Sequence, residues 1–504
     1  MGPGMNRIGY LASRYRAILA YTGLMFLLVG VLMATPLLAL VAWPEEVDQA
    51  VWFLVPSLIV AGVGWILWRA CRIPEAATLT TAEGGVIVLL SWVGAIVASA
   101  MPLIPTASLN FTQAMFEAVS GWTTTGLSVV DVTRVSHLVL LWRSEMQLVG
   151  GAGLAVIMLA ALTGPVGPGI SKAEGRTDQL VPQVRQSVRL VLGLYGIYML
   201  LGVGSLWAVG LSWFDAVNHA FAAISTGGFS TYSDSIGHWD RPAVEGVLIG
   251  LMILGNLNFL TAYLLLRGRL RAVSRNGEIR LLALLIPMSV AVAYFATCRM
   301  LYPAPGKALR VAVFESVSAL TTTGFQTVGY GNWNGSGVGL LVVLMLIGGG
   351  VCSTAGGLKQ YRIHILFRVT VRELKRLLLP QSTIMAEPVW QGEHRIFLQD
   401  AHVRQIVAFV CLYLATYATG SLILTMTGNS MEAAFFEFAS AIGTVGLSVG
   451  VTTPGANPVA LWTMSAGMFL GRLEFLVILM TVMKLGRDLK QLGHLATEKR
   501  SSGR

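Results

Sequence analysis

Three stretches of the 504-residue chain place the same chemistry at the same offsets from a glycine. They read Phe116-Glu117-Ala118-Val119-Ser120-Gly121-Trp122-Thr123-Thr124-Thr125-Gly126-Leu127, Phe314-Glu315-Ser316-Val317-Ser318-Ala319-Leu320-Thr321-Thr322-Thr323-Gly324-Phe325 and Phe436-Glu437-Phe438-Ala439-Ser440-Ala441-Ile442-Gly443-Thr444-Val445-Gly446-Leu447. A fourth stretch, His219 to Phe229, is looser, with His219 in the Glu position and Ala222 in the Ser position. Backbone carbonyls in a ring replace the hydration shell of a monovalent cation. Turning successive carbonyls inward needs backbone angles that a β-carbon resists, which explains a glycine at the turn. The candidate cation ligands are therefore Thr124, Thr125, Gly126, Thr226, Gly227, Gly228, Thr322, Thr323, Gly324, Thr444, Val445 and Gly446. A short helix ahead of each turn would aim the negative end of its dipole at the cation. One unit copied about every 100 residues and arranged around an axis makes a pore from a single chain.

The elements that must position these turns are membrane spans. The chain is 55% hydrophobic and 12% charged, with mean hydropathy +0.69, against about one-quarter charged for a soluble domain. Apolar runs long enough for a bilayer core predict spans at 18–42, 52–70, 81–103, 136–162, 186–210, 242–267, 279–302, 336–366, 402–426 and 457–484. Basic clusters at Arg14/Arg16, Arg69/Arg72, Lys172/Arg176/Arg185, Arg267 to Arg275, Arg362 to Arg376 and Lys484/Arg487/Lys490 alternate with the other linkers. By the positive-inside rule both termini are cytoplasmic and the glycine-bearing linkers external. Each such linker holds an apolar stretch too short to cross, and irregular backbone at membrane depth survives only where protein buries it or water reaches it. The expected fold is an all-α polytopic membrane protein, with four span–pore-loop–span repeats around a central pore plus two extra N-terminal transmembrane helices. The segments are 1–75 for the two-helix extension, 76–170, 180–270, 276–378 and 398–490 for the repeats, and 491–504 for a cytoplasmic tail. The net charge of +10 reads as a topology signal rather than a nucleic-acid surface. Cys71, Cys298, Cys352 and Cys411 stand singly, with no CxxC pair, and read as small buried apolar residues.

These residues resemble the Trk/Ktr/HKT superfamily of potassium transporters, most nearly its bacterial TrkH type, over the whole chain. The marks are the four glycine turns, Ser225-Thr226-Gly227-Gly228-Phe229-Ser230, Gly348-Gly349-Gly350 through Ser353-Thr354-Ala355-Gly356-Gly357-Leu358-Lys359, Arg372-Glu373-Leu374-Lys375-Arg376 and Gly471-Arg472-Leu473-Glu474. The resemblance implies potassium uptake across a bacterial inner membrane, because all four filter positions hold Gly, whereas Ser at the first goes with sodium in some plant members. It also implies potassium bound at the filter residues, no covalent cofactor, a homodimer in membrane lipid, and a cytosolic nucleotide-binding, TrkA-like ring that gates the pore. Nucleotide would act only through that subunit. Gly348, Gly349, Gly350, Ser353, Thr354, Gly356 and Gly357 become an intramembrane gate below the filter, with Arg472 in the ion path beneath it. A sodium or non-selective cation pathway on the same scaffold is the alternative.

Other residues carry smaller expectations. Thr327-Val328-Gly329-Tyr330-Gly331 spells the filter string of tetrameric potassium channels, but it starts three residues past Gly324 and the other repeats lack it, so it reads as a surface turn. Glu117, Glu315 and Glu437 are expected to cap and anchor the starts of the pore helices, and His219 and Asp215 to be satisfied polar residues. Arg143 and Glu145 are expected to form a buried ionic network, and Asn256 and Asn258 to bond across helices. Scattered histidines without HExxH argue against a membrane-embedded enzyme. Repeats of one orientation centred on loops argue for a channel-like path over alternating access.

Overall fold

Inside a bilayer an apolar segment has no water to satisfy its peptide groups, so it closes its hydrogen bonds within a helix. A computed structural model of the chain describes residues 7–71, 80–153, 184–378, 388–391, 394–397, 399–473 and 475–501. Among them six helices are long and apolar enough to span a membrane: Leu11–Val41, Pro44–Ala70, Ala82–Thr106, Arg189–Ala208, Gly277–Leu301 and Asp400–Met426. Two further apolar paths bend sharply. Pro242–Asn256 turns by 116° into Phe259–Leu266, and Pro458–Leu473 turns by 100° into Phe475–Gln491.

Two of the stretches read as spans are broken where their glycines and asparagines interrupt the apolar run. The stretch 336–366 divides into the helices Gly335–Ile347 and Gln360–Leu377, separated by irregular backbone. Positive φ at Gly348 (+69°), Cys352 (+53°), Gly357 (+80°) and Lys359 (+75°) takes that backbone off the helical path. Stretch 242–267 breaks at Leu257, after which the Asn258 side chain accepts from Leu260 N at 2.8 Å and starts a new helix. Stretch 136–162 is helical over His137–Ala152, and its remainder lies outside the described residues. Lys172 and Arg176 lie there too.

The order span, short helix, second helix occurs four times. The short helices are Phe111–Trp122, Trp213–Ile224, Pro305–Leu320 and Met431–Ile442, the first to fourth pore helices below. The fold is thus nearly all helical. This agrees with the expected helical membrane fold; among the described residues the strands are one antiparallel hairpin, in which Pro388–Gln391 pairs with His394–Phe397.

The N-terminal pair, Arg7–Ala34 and Ala50–Ala70, packs through small residues. A β-carbon on Gly64 would stand 2.5 Å from Gly23 O, and one on Gly30 would stand 2.7 Å from Ala61 N. The Ser57 hydroxyl donates to Gly30 O at 2.6 Å. The pair is fastened to the repeats by Arg14–Glu83, by Tyr15 OH donating to Asp488 at 2.9 Å, and by Thr35 donating to Glu145 at 2.7 Å. Gly64→Leu should force the helices apart at a cost of about 1–3 kcal/mol, read as a lower thermal midpoint of the purified protein. An unchanged midpoint would mean that this contact is not a rigid joint.

Candidate cation pathway

Each pore helix is started and stopped by its own sequence. Asn110 forms a reciprocal capping box with Gln113, Ser212 accepts from Asp215 N at 3.0 Å, Ser430 accepts from Ala433 N at 3.3 Å, and the third pore helix opens on Pro305. All four stop in the same way. Thr124, Thr226, Thr322 and Thr444 take φ of 55°, 52°, 54° and 50°. Their amides bond back to Gly121, Ala223, Ala319 and Ala441 O at 3.1–3.2 Å. The next amides, of Thr125, Gly227, Thr323 and Val445, bond to Ser120, Ala222, Ser318 and Ser440 O at 2.7–3.0 Å. This is a Schellman cap with threonine in the left-handed position where glycine is usual. A β-branched residue there costs on the order of 1–3 kcal/mol, and the surroundings impose it at four equivalent places.

Two residues on, Gly126, Gly228, Gly324 and Gly446 also have positive φ, from 75° to 105°. A β-carbon at Gly126 would lie 2.2 Å from Gly227 O, at Gly228 2.1 Å from Thr323 O, at Gly324 1.9 Å from Val445 O, and at Gly446 2.2 Å from Thr125 O. The order closes on itself, so the four turns form one ring, each glycine facing the carbonyl of the next filter. Above the ring is a cavity of about 370 Å³ lined by all four glycines and by Asp131, Arg143, Tyr232 and Thr452, among others. The Thr133 hydroxyl and amide, with Arg134 nearby, hold the Asp131 carboxyl below its usual range, so the mouth carries a charged acid at neutral pH.

Behind the ring, one side chain per repeat grips the chain just after the filter. Glu117 accepts from Ser128 Oγ (2.9 Å) and Val129 N (3.0 Å). Glu437 accepts from Ser448 Oγ (2.8 Å) and the amides of Val449 (3.1 Å) and Thr452 (2.9 Å). Glu315 accepts from the Thr327 amide (2.8 Å) and hydroxyl (2.7 Å) and from Tyr330 OH. His219 meets Asp215 O at 2.8 Å with Nδ1 and Ser230 Oγ at 3.0 Å with Nε2. Its proton therefore sits on Nδ1, and Nε2 accepts. The three glutamates lie mid-helix, which corrects their expected place at the helix starts, where Asn110, Pro305 and Ser430 stand; His219 is a satisfied polar residue within its pore helix. The TVGYG string lies at a turn past the glycine ring with Gly329 and Gly331 exposed, as expected, but its Tyr330 is buried and with Thr327 braces Glu315.

Arg143 and Glu145 do not share a network. Arg143 Nε donates to Glu117 at 2.7 Å and its guanidinium lies 4.0 Å from the Phe229 ring centre, whereas Glu145 accepts from Thr35. Gln147, unnoticed in the sequence, reaches from the same helix to Gly227 O (2.6 Å) and Phe229 N (3.2 Å) and braces the second filter. Its signal was an amide within an apolar span.

Below the ring lies the Gly348–Lys359 segment. Thr354 Oγ1 donates to Ile224 O or Gly255 O (3.0 and 2.9 Å), and Gly356 N donates to the Thr322 hydroxyl at 2.8 Å. Gly350 N reaches the Asn256 side chain at 3.2 Å, Val351 N reaches Glu278 at 2.8 Å, and Ser353 Oγ donates to Gly350 O at 2.7 Å. Gly349 N bonds to Gly356 O at 3.1 Å and Gln360 Nε2 to Gly348 O at 3.1 Å, closing the segment on itself. A β-carbon on Gly348 would stand 2.2 Å from Gly356 O and 2.6 Å from the Gly357 α-carbon, and one on Gly356 would stand 2.3 Å from Gly443 O. Small residues are therefore needed for the segment to lie against the filter. Arg472 donates to Thr354 O and, at 2.7 Å, to Gly150 O. It joins this segment to the end of the His137–Ala152 helix. Glu474 lies outside the described residues.

Four short helices whose ends close into one ring, inside a shell of membrane helices, define the pore-loop class of membrane protein. The family model described as "TrkH: Cation transport protein" matches residues 53–489, and the chain belongs to that family. It is 31% identical over 485 residues to the Trk system potassium uptake protein TrkH of Escherichia coli K12, covering 92% of this chain and 98% of that one. It is 28% identical to TrkG of the same organism, over 92% of this chain and 96% of that one. The crystal structure of the potassium transporter TrkH from Vibrio parahaemolyticus superposes with a TM-score of 0.81 at 26% identity, covering 94% of this chain and 98% of that chain.

The buried Arg143–Glu117 pair gives a stability prediction. Arg143→Ala leaves Glu117 buried without its counter-charge, at a cost of about 3–5 kcal/mol. Adding Glu117→Gln should recover much of that loss in a thermal or denaturant melt, whereas additive losses would mean that the two side chains act separately.

Proposed function

We propose that the chain takes up potassium across a bacterial inner membrane, by channel-like passage through the ring at Gly126, Gly228, Gly324 and Gly446. Potassium would be held by Thr124–Gly126, Thr226–Gly228, Thr322–Gly324 and Thr444–Gly446 during passage. The observation that carries this reading is the closed order of glycine against neighbouring carbonyl around one axis. Such a ring suits a cation that sheds its water. The relatives' names, potassium uptake proteins of the Trk system, favour potassium over sodium. On this reading 76–170, 180–270, 276–378 and 398–490 are the four repeats, and 1–75 is an added pair of helices. The filter mouth and its acidic Asp131 face outward, and the basic linkers and both termini face the cytoplasm.

The segment from Gly348 to Gly357, with Ser353, Thr354 and Arg472, acts as the gate. Opening it falls to a cytosolic nucleotide-binding, TrkA-like partner acting on a homodimer. The words "Trk system" in the relatives' names support a multi-component assembly.

In a strain lacking its own potassium uptake, the chain should restore growth at low potassium, and excess sodium should compete poorly. Equal competition by sodium would favour the sodium or non-selective alternative. Gly126→Ser puts a side chain where Gly227 O sits, at φ +95°, and should lower the ratio of potassium to sodium uptake. An unchanged ratio would remove Gly126 from the selectivity ring. Arg472→Ala breaks the bonds to Thr354 O and Gly150 O and removes a positive charge below the filter, so potassium flux should rise. Wild-type flux across potassium concentrations would count against a gating role for Arg472.

A further inference from the structure

The four left-handed threonines below the glycine ring are equivalent in backbone and unequal in side chain. All four are fully buried. The hydroxyls of Thr124 and Thr444 have no hydrogen-bond partner. The Thr322 hydroxyl accepts from Gly356 N at 2.8 Å. The Thr226 hydroxyl donates to Ser225 O at 2.7 Å and lies 3.2 Å from the Thr354 hydroxyl. Two of the four hydroxyls at the inner end of the filter thus lie within reach of gate-segment groups, and two have no protein partner. A β-carbon on Gly356 would stand 2.1 Å from Thr444 Oγ1, so the unpartnered Thr444 hydroxyl also lies against the gate segment.

A buried hydroxyl without a partner is unfavourable, and two of them beside a cation path mark a place where a cation supplies what the protein does not. The amide of Gly356 offers its positive end to Thr322, so it competes with a cation for that oxygen. We propose that the gate segment and an inner potassium ion compete for the same threonine hydroxyls. With the segment docked, only Thr124 and Thr444 are available to the ion. When the segment withdraws, Thr226 and Thr322 return and complete a four-hydroxyl site below the carbonyl ring. The gate then tunes how tightly the inner end holds the ion as well as whether the path is open. This inference rests on the potassium reading above.

The test is rubidium and potassium flux through the purified chain in liposomes, measured across ion concentrations. Thr354→Val removes the hydroxyl that donates to Ile224 O or Gly255 O and lies beside the Thr226 hydroxyl, while leaving the filter residues in place. It should raise maximal flux and also lower the half-saturating potassium concentration by about threefold or more, the scale of one hydrogen bond. Raised flux with an unchanged half-saturating concentration would show a purely steric gate and overturn the competition.

Thr322→Val supplies a second arm. In the Thr354→Val background, where Thr322 is free to bind the ion, it should raise the half-saturating concentration; with the segment docked its effect on that value should be much smaller. Thr124→Val should raise it in both backgrounds. Equal effects of Thr322→Val in the two backgrounds would refute the inference. Absence of any potassium flux in the unaltered chain would instead refute the potassium reading itself.

Discussion

At each of four places around one axis the space for a β-carbon is already taken by a neighbour's carbonyl oxygen, 1.9 to 2.2 Å away. Much of the surrounding structure can be read as holding that contact. The ring closes where the backbone changes hand, left-handed at the threonine and again at the glycine. The alternation begins where each pore helix ends in the same cap, and each helix brings the negative end of its dipole to the ring. Since threonine is strained in that cap, the strain must be opposed by contacts that release it only if the filter moves. Those contacts are the mid-helix Glu117, Glu315, Glu437 and His219, each holding backbone or hydroxyl two or three residues past its glycine.

The repeats share this plan without being copies. The second replaces the carboxylate by His219 and the supporting Ser by Ala222, and it receives Gln147 from the preceding repeat as an added brace. The third uses Tyr330 where the fourth uses Thr452. Arg143 neutralises Glu117 next to the mouth and lies over Phe229 of the adjoining filter, so the first and second turns are coupled across their boundary. Below the ring the asymmetry is greatest, because one segment of the third repeat reaches the first through Arg472 and the second through Thr354.

The repeat was legible because it is written in residue types at fixed offsets, and the membrane class because charge is scarce. The bends were partly legible. Glycines 348 to 357 and Asn256/Asn258 announced interruptions, yet hydropathy alone runs straight across both. Threonine in a left-handed position has no sequence signal, since the residue type argues against the conformation it adopts. The place of the glutamates was misjudged because only the position of Asn110, Pro305 and Ser430 fixes where the helices that carry them begin. Tyr330 was misread because a motif was compared with its usual role and not with the carboxylate 15 residues before it. Arg472 looked like a lone charge in a span, since its partners are carbonyls of residues more than 100 positions away.

The central claim is that the ring of Thr125, Gly227, Thr323 and Val445 carbonyls beside the four glycines is where the ion sheds its water. Anomalous diffraction from crystals grown with rubidium in place of potassium tests it directly. Density on the axis between those carbonyls is the predicted result. Well-ordered filter residues with no rubidium on that axis, or rubidium bound only elsewhere in the molecule, would contradict the account.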